Sequence, residues 1–176
     1  TNMVPGVDTF TLIEMNDDAT VVFDREPLDW ILFNKVLQRK ELARPKSHGN
    51  YLPSIDKAVK IILEEARKLQ ALGIPHHDAP LFSMVMLSDG KPSDRDLSSN
   101  CRALIRQLAS FLKYKFSFFS MGLGSTDSDF TVLRDLTSTA EVNGGKGAFN
   151  HAGLSASNIS SGLSMISSSL SSMRSD

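Results

Sequence analysis

Apolar residues fall along this chain in two patterns, short runs of strand length and longer stretches at helical spacing. Phe10 to Met15 reads as a strand, and Asn16-Asp17-Asp18 after it supplies turn chemistry. Thr20 to Phe23 reads as a second strand, so an antiparallel hairpin is expected. From Leu28 to Arg39 the apolar positions Leu28, Ile31, Leu32, Val36 and Leu37 follow helical spacing. Arg44 to Asn50 is rich in breakers and reads as a loop. Pro53 suits the first turn of a second helix with the face Ile55, Val59, Ile62, Ala66 and Leu69, and Gly73 ends it.

Leu81 to Leu87 is a nearly continuous apolar run, the pattern of a strand covered on both faces in a parallel sheet, and it stops at Ser88-Asp89-Gly90. A helix follows with Leu97, Cys101, Leu104, Ile105, Leu108 and Phe111. Phe116 to Met121 is the next strand, closing at Gly122-Leu123-Gly124-Ser125. Asp127 or Ser128 is expected to cap a helix whose face is Phe130, Leu133, Leu136 and Ala140. Asn143-Gly144-Gly145 breaks it, and Ala148 to His151 reads as a short last strand. Ser155 or Ser157 opens a final helix with Ile159, Leu163, Ile166, Leu170 and Met173. Its serine density also suits a low-complexity tail, but apolar steps of four, three, four and three favour a packed amphipathic helix. The order predicts one α/β domain over residues 1–176, with a mainly parallel sheet between helical layers. Such sheets bind ligands beyond the carboxyl ends of their strands. The loops to watch are therefore Ser47 to Tyr51, Ser88 to Asp94 and Gly122 to Asp129.

Composition acts mostly by exclusion. A net charge of -1 gives no electrostatic case for nucleic acid or an anionic membrane. No apolar run approaches the roughly 20 residues of a membrane span. The single cysteine, Cys101, has no internal disulfide partner and falls on an apolar helix face, as a core residue would. The one glycosylation signal, Asn158-Ile159-Ser160, lies on a predicted helix, so an intracellular location is the expectation. The chain opens on Thr1 and reads as a piece of something longer.

Candidate chemistry is sparse. Asp89 has two readings: a metal-site acid at a strand end, or a turn aspartate bonded to its own backbone. Asn50 is either a neutral ligand or a loop asparagine. Ser88, Gly49 and His48 lie beside these two and are read as partner contacts, with a purely structural role as the alternative for Ser88. Trp30 sits off the Leu28–Leu32–Val36 face and is either a partner contact or half-buried core. His76-His77-Asp78 lacks metal-ligand spacing. Gly122-x-Gly124 lacks the third glycine of a dinucleotide fingerprint, and Asp127 and Asp129 beside it would repel phosphates. Nothing resembles Gly-x-Ser-x-Gly and no nucleophile–base pair can be argued, so no enzyme is expected.

The ordered set of segments resembles the von Willebrand factor type A family. The strand leading into Ser88-Asp89-Gly90 is similar to that family's strand–Thr/Ser-Asp-Gly segment, and Phe116 to Ser125 to its next strand and glycine-rich turn. The helix Asp129 to Ala140, the strand at Gly147-Ala148-Phe149, the edge hairpin Phe10–Phe23 and the turn at His48-Gly49-Asn50-Tyr51-Leu52 follow the same order. The resemblance implies a three-layer α/β/α Rossmann-like fold, mostly parallel with one antiparallel edge strand. It implies a protein partner bound at the carboxyl ends of the strands, assisted by Mg²⁺ or Mn²⁺ held by oxygen ligands. Asp89 matches the family's third-motif aspartate, and Asn50 stands where a threonine is expected. The family's Asp-x-Ser-x-Ser, with the first strand and helix around it, has no counterpart before Phe10. The implied domain is therefore N-terminally incomplete, and no metal is expected on this chain alone. In the family the absent strand is central, between the hairpin and Leu81–Leu87, so either the halves close up or the chain is poorly stable. Two alternatives stand beside this reading: a metal-independent scaffold domain of a larger intracellular protein, and a nucleotide-binding α/β enzyme.

Overall fold

A computed structural model describes residues 8–39, 49–94 and 97–172. The chain is α/β. Strands β1 (Thr9–Glu14) and β2 (Thr20–Pro27) form an antiparallel hairpin, followed by α1 (Trp30–Gln38) and α2 (Tyr51–Ala71). Then β3 (Phe82–Ser88), α3 (Ser98–Leu112), β4 (Phe116–Leu123), α4 (Thr131–Val142), β5 (Lys146–Ala152) and α5 (Ala156–Ser172) alternate. The parallel sheet has the order β3-β4-β5, with Val85 beside Phe119 and Phe119 beside Ala148.

Register assigns the two faces. Met84, Met86, Phe116, Phe118 and Phe149 point to the side where α2, α3 and α4 pack, and with Ile105, Leu108, Leu133 and Leu136 they form the main core. Phe119, Met121 and Ala152 point the other way and meet Ile166 of α5. Three layers result, with β4 buried on both faces. The expectation of two-sided cover for the run Leu81–Leu87 belongs to β4 and not to β3. In β3, Met84, Met86 and Ser88 are buried while Ser83, Val85 and Leu87 are exposed, because α5 packs mainly on β5 and β4.

The hairpin is a sheet of its own. Among the described residues no ladder joins it to the parallel sheet, so each sheet keeps an unpaired edge at β1 and at β3. Helix α2 ties them together. Its inner residues Tyr51, Ile55, Val59 and Leu63 sit in the main core, while Lys57 donates to the Ala19 carbonyl and Glu65 takes the guanidinium of Arg25. β2 runs four residues beyond the expected Phe23, through a bulge where Arg25 has φ 53°. That conformation aims the guanidinium at Asp24, Glu64 and Glu65, which hold it charged, Asp24 most strongly.

Three local expectations are corrected. Neither Asp127 nor Ser128 caps α4; Phe130 occupies the cap position, and Asp129 accepts from the Thr131 N–H at 2.9 Å. On α5 only Ile166 of the expected face is fully buried and Leu163 is exposed, while Met173 lies outside the described residues. On α1 the expected face Leu28–Ile31–Leu32–Val36–Leu37 is not the inner one: Leu32 is buried, but Leu28, Ile31 and Leu37 are exposed. Lys35 bridges to Glu26 of β2 and Arg39 lies over the Phe23 ring, so the side of α1 that carries them faces the hairpin.

Candidate functional site

The carboxyl end of β3 gathers Asn50, Tyr51, Ser88, Asp89 and Asp94, and each is held by a specific bond. Ser88 Oγ is buried, bonds the Tyr51 hydroxyl and accepts from the Gly90 N–H at 3.2 Å. Burial, foremost, pushes the Tyr51 phenol up to about 12, with Asp89 and Asp94 adding to the effect and the Ser88 bond opposing it. Asp94 spends both carboxylate oxygens on α2, accepting from the N–H groups of Tyr51 at 2.8 Å and Leu52 at 2.7 Å. Asn50 precedes α2 without capping it; its amide donates to the Asp17 carbonyl at 3.3 Å, fastening the hairpin turn to the same end.

Asp89 lies above this buried floor, exposed, with Oδ1 accepting from the Lys91 N–H at 3.1 Å. That is the turn-aspartate geometry. Gly90 has φ 82°, and a Cβ there would meet the Phe130 ring at 2.6 Å. A Cβ at Gly122 would also meet that ring at 2.6 Å, so close packing of Phe130 accounts for a glycine that a nucleotide motif would otherwise claim. Gly49 has open space around its Cβ position, so neither sterics nor backbone demands glycine there. His48 lies outside the described residues.

As metal ligands, Asp89 offers a carboxylate and Asn50 one amide oxygen, together fewer than the roughly six oxygens that Mg²⁺ requires. Asp94 is committed to α2, and among the described residues no group of three His, Cys, Asp or Glu side chains gathers. The described residues do not by themselves gather a cage for the ion. His76, His77 and Asp78 sit before β3, away from this end: His76 bonds the Leu112 carbonyl at 3.2 Å, and Lys115 donates to the His77 and Ala79 carbonyls. Cys101 is buried and its thiol is pushed up to about 11, chiefly by burial. An open groove of about 580 Å³ lies beyond β4 and β5, lined by Ser125, Asn150, His151, Asn158 and Ser161.

A second surface lies on α1. Trp30, Phe33 and Leu37 are 71, 48 and 65% exposed and fall within about 60° of one another around the helix. Trp30 and Phe33 stack with ring centroids 4.9 Å apart. Asp29 fixes the start of the helix by accepting from the Leu32 N–H at 2.8 Å. Sequence reading singled out Trp30 and Phe33 on this helix but assigned Leu37 to the inner face. It also missed Tyr51 and Asp94, whose bond spans 43 positions and leaves no local mark.

Among the described residues no helix is long and apolar enough to cross a membrane. No protein-family model matches the chain, and neither curated proteins nor solved structures match it.

Proposed function

We propose that this chain is a protein-binding module of von Willebrand factor type A-like build and not an enzyme, and that α1 is a docking surface. The observation that carries the reading is the exposed stripe Trp30–Phe33–Leu37, since contiguous exposed apolar surface rimmed by polar groups marks interaction sites. The alternating β3–β5 segment and the ordered Ser88-Asp89-Gly90 loop support the likeness to that family. The unpaired edges of β1 and β3 suit a larger sheet in which one further strand pairs between them.

A metal-independent scaffold is the second reading, and the use of Asp94 as the cap of α2 favours it over metal-assisted binding. The experiment immobilises the chain and quantifies proteins retained from an extract of its source, with Mg²⁺ or with EDTA. Phe33→Glu is expected to lose at least one retained protein by about tenfold. If Phe33→Glu and wild type retain the same set, the docking reading fails. Loss in EDTA and in Asp89→Ala selects the metal-assisted form, and indifference to both selects the scaffold. Specific thermal stabilisation by a nucleotide would instead revive the enzyme reading.

A further inference from the structure

We infer that the groove beyond β4 and β5 binds a neutral polyhydroxylated ligand, a mono- or disaccharide. The inference stands on β4, β5 and α5 and does not depend on α1 as a docking surface.

The groove lies at the carboxyl ends of two parallel strands, the end at which such sheets bind ligands. Its floor is tied together by the fold. The Gly124 N–H donates to the Ala152 carbonyl at 3.1 Å, and His151 Nε2 donates to the Gly124 carbonyl at 3.0 Å. Around this floor stand Thr126, Asn150 of β5, and Asn158 and Ser161 of α5. Glycines leave room for both amides. A Cβ at Gly153 would come within 2.6 Å of Asn158 Nδ2, and one at Gly162 would meet Met121 at 2.8 Å and Asn150 Nδ2 at 3.2 Å.

What these side chains leave unspent selects the ligand. Ser164 and Ser169 of α5 each donate to a carbonyl of their own helix. The side chains of Thr126, Asn158 and Ser161 make no hydrogen bond among the described residues. The Asn150 amide has the Met165 sulfur at 3.5 Å, a weak acceptor that leaves most of its capacity open. Two amides and two hydroxyls offer donors and acceptors together, which suits groups that are both at once, as every sugar hydroxyl is. Among the described residues no Asp, Glu, Lys or Arg lines the groove, and Asp127 and Asp129 on the adjoining loop oppose an anion. Met165, 58% exposed on the same wall, offers an apolar contact to the C–H face of a sugar ring. A volume of about 580 Å³ has room for one or two such rings. Because the groove is open to solvent, the affinity belongs in the millimolar range.

Titration of the isotope-labelled 176-residue chain with glucose, mannose, N-acetylglucosamine and maltose, read from amide chemical shifts, tests it. At least one sugar should give changes that saturate with a dissociation constant of about 1–10 mM. They should concentrate in residues 124–126, 150–153 and 158–162 and in the side-chain amides of Asn150 and Asn158. Asn158→Leu, an exposed substitution whose fold the amides of β3 can check, should weaken binding about tenfold. Ser164→Ala, outside the groove, should leave it unchanged. Methyl glucoside and methyl mannoside carry a blocked anomeric oxygen, as in a glycan. Their binding upholds the site for an attached sugar, and binding of the parent sugars alone upholds it for a free one. No saturating change with any of these sugars up to about 50 mM overturns the inference. So do changes indifferent to Asn158→Leu, or changes centred outside the groove. Tighter binding of glucose-6-phosphate than of glucose overturns the neutral ligand and makes the groove an anion site.

Discussion

Phe118 in β4 and Phe33 on α1 are the same side chain in two kinds of surroundings. Phe118 is fully buried in the core that α2, α3 and α4 close over, whereas Phe33 is half exposed. The sheet β3–β5 lies between helices and gives its apolar groups a second layer to meet. Among the described residues α1 finds much less cover: of its large apolar side chains, Leu32 alone is buried. The difference shows that hydrophobicity along a helix sets what needs cover, while topology decides whether this chain supplies it.

Substitution should separate the regions most sharply. Phe118→Ala is expected to cost about 3–5 kcal/mol in urea unfolding, and Phe33→Ala less than about 1 kcal/mol. Equal costs would mean that α1 is as well packed as the sheet. Asp94→Ala removes two bonds from the start of α2 and should cost about 1–2 kcal/mol, while Asp89→Ala should cost well under about 1 kcal/mol. The reverse order would make Asp89 the structural residue of the pair.

Alkaline pH probes the sheet side. Because Tyr51 is held at about 12 in the fold against 10.0 for the free side chain, its contribution is complete below pH 10 and is lost as pH climbs through 12. Unfolding free energy measured from pH 9.5 to 11.5 should fall with a slope that Tyr51→Phe makes shallower; an unchanged slope would dismiss Tyr51 as its source. On the hairpin side, Glu65→Gln should cost about 1 kcal/mol or less, with faster amide exchange in β2 and none of that change in β4. Equal acceleration in both strands would make hairpin and sheet one cooperative unit.

Much of this division was legible in the sequence. The alternation from Leu81 onward predicts the parallel unit, and the Phe130–Leu133–Leu136–Ala140 face is buried as read. Periodicity marks which residues share a face but not which face turns inward, so α1 was read with Leu37 inside and β3 with two covered faces. The Asp94 bond to α2 and the Arg25 clamp on Glu65 join residues about 40 positions apart, and spacing carries no sign of either. Asp89, read as metal ligand or turn residue, has the bond of a turn residue.

Native-state hydrogen exchange of the dilute chain tests the central claim most directly, that the parallel sheet is a stable unit and the hairpin with α1 a weaker one awaiting cover. Amides of β4, α3 and α4 should exchange only through global unfolding, and those of β1, β2 and α1 through openings several kcal/mol easier. A single opening free energy shared by β4, β2 and α1 would contradict it.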